Sequence, residues 1–532
     1  MRKSSIVFLL MVSFQPLFSQ EEKIDLGMVE KIRQEGLKNS QVMETVFYLT
    51  DANGPRLQGS AGYTKAANWA KDKLASYGLQ DAKLEPWGEF GRGWEMQKSY
   101  LALTAPYYRP INAFPKSQCK GSDGAKNAEV VMINAKDSTE LMSYKGKLKG
   151  KIVITPAYDT LKPTYRSDAS RYTDDELVKM GEYTPPTGPQ QGRGQFGAGG
   201  RGRFGAGAGL SPVLLRSFAQ AEGAVAILSS TTRNHDGTLF VQGSTGAPGV
   251  QSYAANAPES FLDMVVGIED YNTIYRLVKH NIPVKLDIDV KTSFSTKDTK
   301  GYNVVAEIKG TDPKLKEELV MLGGHLDSWH SGTGATDNAA GCATMIEAVR
   351  ILKAVGFQPR RTIRIALWGG EETGLNGSRG YVRNHFVDTA ARKANAMGEK
   401  VSVYFNLDNG TGKIRGIYTQ GNVGIKPIFA KWFEPFKDLG ATTVTSQNTG
   451  GTDHQSFDPY GIPAFQFIQD GMEYNTRTHH STMDTYDHLS PDDLMQASTI
   501  IADFVYNAAQ RDEKMPRKPQ TNAPAGGRLT LR

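Results

Sequence analysis

The chain has 532 residues, 39% of them hydrophobic and 22% charged. That is close to the usual ~25% charged content of globular proteins, and it excludes a wholly disordered or fibrous chain. The net charge of +6 comes from 62 basic against 56 acidic residues. Arg2, Lys3 and the segment from Arg511 onward, with six basic and two acidic residues, carry that excess. The body is therefore neutral, which excludes a nucleic-acid grip driven by net charge.

The first 19 residues read as a secretory signal peptide. A basic start at Arg2 and Lys3 precedes a short apolar run over residues 6–14, and Leu17-Phe18-Ser19 offers a cleavage site. The reading implies a secreted or periplasmic protein. The run is too short for a ~30 Å hydrocarbon core, and no later stretch approaches ~20 apolar residues, so no membrane span is expected. Two distant cysteines, Cys119 and Cys342, do not make a disulfide scaffold in an exported chain of this size. Cys342 lies in an apolar helical pattern and reads as a small buried hydrophobe.

Residues 20–116 open with helical periodicity over 28–49 and 63–77, separated by the turn-rich Asn53-Gly54-Pro55-Arg56-Leu57-Gln58-Gly59-Ser60. From residue 117 to 295 the texture becomes strand-rich, with short apolar runs at 129–133, 151–154, 223–228 and 283–290 and one helix-like stretch at 211–221. This reads as an inserted domain. Within it, residues 188–209 hold ten glycines in 22 positions, too few apolar groups to offset ordering entropy, and read as a flexible surface loop. Residues 296–510 alternate strands at 303–308, 318–322, 362–368 and 401–407 with helices at 338–354, 376–384 and 491–509. Such alternation predicts an α/β fold, a mostly parallel mixed sheet covered by helices on both faces. The basic tail, 511–532, reads as disordered.

Ligands of such sheets bind beyond the carboxyl ends of the strands, so the residues there carry the information. Gly324-His325-Leu326-Asp327 follows one strand and Asp337 precedes the next helix. Glu371 and Glu372 follow another strand, Asp408 a third, and His479-His480 comes near the C-terminal end. Imidazole and carboxylate suit zinc. His325, Asp337, Glu372, Asp408 and His480 make five candidate ligands, more than one tetrahedral ion needs, and a carboxylate can bridge; two ions ~3.5–4 Å apart fit that supply. Of the adjacent pair, one glutamate can ligate while the other faces the reacting water. Asp327, two residues after His325, is placed to fix its ring as an outer partner. A lone His-x-Asp is usually a surface feature and a Glu-Glu pair a solvated face; the weight rests on several strand ends converging. His385, His454 and His479 are left unassigned.

The set Gly324 to Ser328, Gly334 to Asn338, Glu371-Glu372, Leu407-Asp408 and His480 to Thr485 resembles the co-catalytic zinc aminopeptidases and glutamate carboxypeptidases, and the strand-rich insert resembles a protease-associated domain. The resemblance spans residues 40–510 and implies roles. One zinc takes His325 and Asp408, the other Glu372 and His480, and Asp337 bridges them. Glu371 is the general base, with Asp327 behind His325; the peptide after the bridging aspartate is often cis in this family, which implies a cis Asp337–Asn338 bond. The implied activity is an exopeptidase acting on peptides or dipeptides with a free terminus, with a homodimer left open. Two rivals remain: a catalytically silent receptor or adhesion module on the same fold, and a glutaminyl-cyclase-like acyltransferase using one zinc.

Overall fold

The computed structural model describes residues 22–156, 165–185, 210–246 and 249–518. The leader, the Gly-rich stretch 188–209 and the tail beyond residue 518 lie outside the described residues. Two eight-stranded sheets organise the rest.

The first sheet has the strand order Gln80–Glu89, Lys300–Ile308, Thr362–Trp368, Leu319–His325, Val401–Asn406, Ala464–Gln469, Ile414–Tyr418, Thr443–Thr445. Its centre is parallel: Leu319–His325 pairs in parallel with both Thr362–Trp368 and Val401–Asn406, which in turn pairs in parallel with Ala464–Gln469. Antiparallel pairs flank that centre on both sides, at 80–89 with 300–308, 300–308 with 362–368, and 414–418 with 464–469. The sheet is thus mixed, with a parallel centre and one further parallel pair at its edge, 414–418 with 443–445.

Side chains alternate between the two faces with the period of a strand. Val320, Leu322, Ile363, Ile365 and Leu367 enter one core cluster with the helices Leu26–Lys38, Ala61–Ser76, Ala340–Ala354 and Pro491–Gln510. Leu319, Met321, Ala366 and Trp368 enter a second cluster with Tyr381 and Val382 of Asn376–His385 on the opposite face. Every residue from Ala340 to Leu352 is buried, as expected for a helix apolar almost all round. The two charged residues of this buried stretch pair with each other: Arg350 donates Nε and Nη2 to Glu347 at 2.8 and 2.9 Å, and Nη1 to Glu35 at 2.5 Å.

The second sheet has the order 109–110, 93–105, 285–295, 126–132, 152–154, 226–229, 263–266, 113–115. Three of these strands precede residue 117, so membership of this sheet begins at Gly93, upstream of the strand-rich texture. The chain passes between the sheets at Gly91 and Gly93, where backbones approach closely. A Cβ at either would meet a carbonyl oxygen at 2.1 Å, that of Tyr253 or of Gly59.

Two sequence expectations change. The periodic stretch 28–49 forms two helices, Leu26–Lys38 and Val42–Leu49, broken at Asn39-Ser40. The tail expected to be disordered from residue 511 is packed as far as Lys518. Met515 is buried and donates its N–H to Ser402 Oγ, Arg517 donates to the carbonyls of Gly398 and Gly461, and Lys518 pairs with Asp458. A buried Met and tertiary hydrogen bonds outweigh a polar local composition. No helix among the described residues is long and apolar enough to cross a membrane.

Candidate metal centre

The candidate residues meet beyond the carboxyl ends of the parallel strands. His325 ends Leu319–His325, Glu371 and Glu372 follow Thr362–Trp368 through Gly369-Gly370, and Asp408 follows Val401–Asn406. Gly370 takes φ of +74°, and a Cβ at Gly369 would meet Tyr302 O and Tyr63 Oη at 2.3 Å. Only glycine lets this turn lie so close to the sheet. Asp337 sits in the π-turn Ala335–Ala339 at the start of the buried helix, and its peptide bond to Asn338 is cis. Asn338 donates Nδ2 to Leu407 O at 2.9 Å and accepts Gly341 N–H at 3.1 Å, joining the Asp337 turn to the strand end that carries Asp408.

Asp337 is the centre of the arrangement. Its Oδ1 lies 3.2 Å from His325 Nε2 and its Oδ2 lies 3.1 Å from His480 Nε2. Asp408 Oδ1 stands 3.4 Å from the same nitrogen of His325, and Glu372 Oε2 stands 2.9 Å from that of His480. One carboxylate thus faces two imidazoles, each with a further carboxylate beside it. His479 packs against His480 with ring centroids 3.7 Å apart and the rings tilted by 33°, and its Nε2 is 3.7 Å from Asp337 Oδ2. Burial, with the neighbouring His480, pushes the His479 imidazole down to about 4.

Asp327 differs from its expected placement. His325 Nδ1 is 3.0 Å from the Asp327 backbone carbonyl and 3.7 Å from its carboxylate. The carboxylate instead accepts the backbone N–H groups of Glu371 at 3.0 Å and Glu372 at 3.2 Å. It fixes the glutamate turn, while the main chain of Asp327 orients the ring.

The electrostatics call for a cation. Burial raises the Glu371 carboxyl well above its usual range; His325 opposes this, and Asp408 and Asp453 add to it. Burial pushes Glu372 up to about 7 against the opposing His480. His325 and His480 are held well above an ordinary imidazole, since their carboxylate neighbours outweigh burial. Asp337 Oδ2 and Glu372 Oε1 are buried without a hydrogen bond. A cluster of buried carboxylates with unsatisfied oxygens facing imidazole nitrogens fits divalent metal ions. Two triads place their ligand atoms within 4.8 Å of one another: His325, Asp337 and Glu372, and Asp337, His479 and His480. The centre opens on a cavity of about 280 Å³ whose lining includes Glu371, Glu372, Asp408, Tyr474 and Gln242.

The sequence reading gives no role to several supporting residues. Arg56, fully buried, donates to the carbonyls of Leu326, Leu49, Thr333 and Gly334. Asp484 accepts the Thr336 N–H and hydroxyl at 2.6 and 2.9 Å, tying the His480 loop to the Asp337 turn. Tyr474 Oη donates to Asp408 at 3.4 Å. Asp453 stands buried beside the cluster, its carboxyl pushed up to about 7 by burial despite His325. A turn-rich segment predicts a loop at Arg56, but nothing local reveals that its guanidinium is inside.

Residues 303–505 match the profile of peptidase family M28. Human carboxypeptidase Q is 28% identical over 485 residues, which cover 91% of this chain and 88% of that protein. The aminopeptidase YwaD of Bacillus subtilis is 30% identical over 203 residues, 37% of this chain and 42% of that one. Among solved structures, a peptidase M28 precursor from Shewanella amazonensis shares the fold with a TM-score of 0.65. It is 24% identical, and the match covers 93% of this chain and 99% of that one.

Proposed function

We propose that this zinc-dependent metallo-exopeptidase is exported, holds two zinc ions and hydrolyses peptides or dipeptides that carry a free terminus. The observation that carries the reading is Asp337, which presents one oxygen to His325 and the other to His480. His325 and Asp408 would hold one ion, Glu372 and His480 the other, with Asp337 between them. When bound, the pair supplies Lewis acidity toward the scissile carbonyl and the attacking water.

The chain's own groups do the rest. Asp327 holds the main chain of Glu371 and Glu372, so that the two side chains keep separate tasks. Glu371, raised by burial and lining the cavity, takes the proton of the attacking water and returns it to the leaving amine. No acyl-enzyme is needed, so no serine or cysteine nucleophile is required; Cys119 and Cys342 are both buried. Kinship with carboxypeptidase Q and the aminopeptidases supports an exopeptidase, and the signal-like leader supports secretion. The second sheet supports reading residues 117–295 as a protease-associated domain beside the site. The complete residue set argues against a silent receptor, and the shared Asp337 against a one-zinc acyltransferase.

The test is metal content. Zinc-reconstituted protein should bind about two ions per chain and hydrolyse members of a dipeptide panel. Saturation near one ion with full activity would overturn the two-metal reading.

A further inference from the structure

The second sheet reaches the metal centre. Residues 239–242, between its strands Ala226–Ser229 and Asp263–Val266, run beside the His480 loop. Phe240 and Ser481 form an antiparallel bridge. Val241 N–H donates to His480 O and Thr482 N–H to Leu239 O, each at 2.9 Å, and Leu239 N–H donates to Thr482 Oγ1 at 3.1 Å. His480 takes φ of +60°, a left-handed conformation that L-residues with a side chain adopt only when their surroundings hold them there. Val241 supplies one such hold on the His480 carbonyl.

The side chain is held as well. His480 Nε2 faces Glu372 and Asp337. Its other nitrogen, Nδ1, lies 2.7 Å from the amide nitrogen of Gln242. Ligating histidines nearly always engage a partner through the second ring nitrogen, which fixes tautomer and ring orientation. An amide carries both a donor and an acceptor on one rotatable group. With Nε2 directed at a metal, Nδ1 carries the proton and donates to the amide oxygen. With Nε2 protonated, Nδ1 accepts from the amide nitrogen.

We propose that Gln242 is a positioning residue for His480, through which the second sheet sets the affinity of one of the two zinc positions. The inference rests on the two-zinc reading above. Gln242 lies outside residues 303–505, the span matched by the family profile, so the centre depends on a residue beyond that segment. Gln242 is solvent-exposed, and water can replace part of what its amide supplies. The expected effect therefore lies at the lower end of the 10–100-fold range typical of such partners.

The test is zinc binding to the full chain after metal removal, read by competition with a chelator of known affinity. Wild type, Gln242→Leu and Gln242→Glu are compared. Leu keeps the approximate size and removes the hydrogen bond; Glu keeps an acceptor for the Nδ1 proton. Gln242→Leu should weaken one zinc site by about 10-fold and leave the other unchanged. Gln242→Glu should restore or exceed wild-type affinity, and the metal-free proteins should unfold at the same temperature. If wild type binds two ions and Gln242→Leu binds both as tightly, this inference is wrong and the two-zinc reading stands. Equal weakening of both sites, or no rescue by Glu, also overturns it. Wild type binding a single ion overturns the two-zinc reading and this inference with it.

Discussion

Replacing Arg56 with methionine tests whether one buried guanidinium holds the loop between the candidate ligands. The side chain is fully buried. Nε donates to Leu326 O at 2.7 Å, Nη1 to Leu49 O at 2.8 Å and Thr333 O at 2.6 Å, and Nη2 to Gly334 O at 2.7 Å. Three of these carbonyls belong to the loop joining His325 to Asp337. Methionine keeps the approximate stem and removes all four bonds. At ~1 kcal/mol per lost bond, and more wherever a carbonyl finds no other donor, the loss is about 4 kcal/mol or above. Relief from burying a cation offsets part of this; burial already lowers the Arg56 pKa, with Cys342 and Asp484 opposing. A net loss of ~3–4 kcal/mol is a large share of a typical ~5–15 kcal/mol stability. It should appear as a fall of roughly 6–16 °C in Tm, at ~2–4 °C per kcal/mol for domains of moderate size. Arg56→Lys, with a charge but no fork of donors, should fall between. Calorimetry and zinc uptake on the same samples provide the assay. Arg56→Met that melts within a degree of wild type and binds zinc normally would refute the reasoning.

Glu371→Gln should keep both zinc ions and lose turnover by ~10²–10⁴-fold, whereas Glu372→Gln should lose affinity for one ion and regain part of its activity at high zinc; the opposite pattern in zinc analysis and peptide hydrolysis would reverse the assignment. Gly341→Ala places a Cβ 2.2 Å from Asn338 Oδ1 and 2.4 Å from Leu407 O, so it should destabilise by ~1–3 kcal/mol and lower zinc content; unchanged melting and metal content would count against the close approach. Asp503 is pushed up to about 8 by burial, with Asn507 opposing, so it stays protonated in the fold while the unfolded chain ionises above ~4. The stability it contributes is full below the unfolded pKa and is lost as pH rises through the folded one, an upper bound of ~4 kcal/mol between pH 5 and 8. Asp503→Asn should flatten the fall of Tm with pH over that window, and a slope equal to wild type would show that the carboxyl is not held protonated.

Alternation of short β-branched runs with long apolar helices is a local property, and it was sufficient to predict the layered α/β body. Burial on both faces forces continuous apolar strands such as residues 319–322 and 362–368, and strand ends are where such a sheet leaves polar groups free. That is why His325, Asp337, Glu371, Glu372, Asp408 and His480 could be singled out from the chain alone. Contacts between distant segments leave no such periodic trace. Arg56 meets carbonyls some 270 residues away, and Gln242 meets His480 across 238. The strand from Gly93 joins the second sheet because it pairs with Lys285–Ser295, although its composition does not differ from what precedes it. Asp327 follows the same pattern. Its spacing from His325 was legible, but whether carboxylate or main chain would face the ring depended on where the Glu371 turn docks. Sequence periodicity encodes which side of an element is buried; which partner lies on that side is a property of the assembled fold.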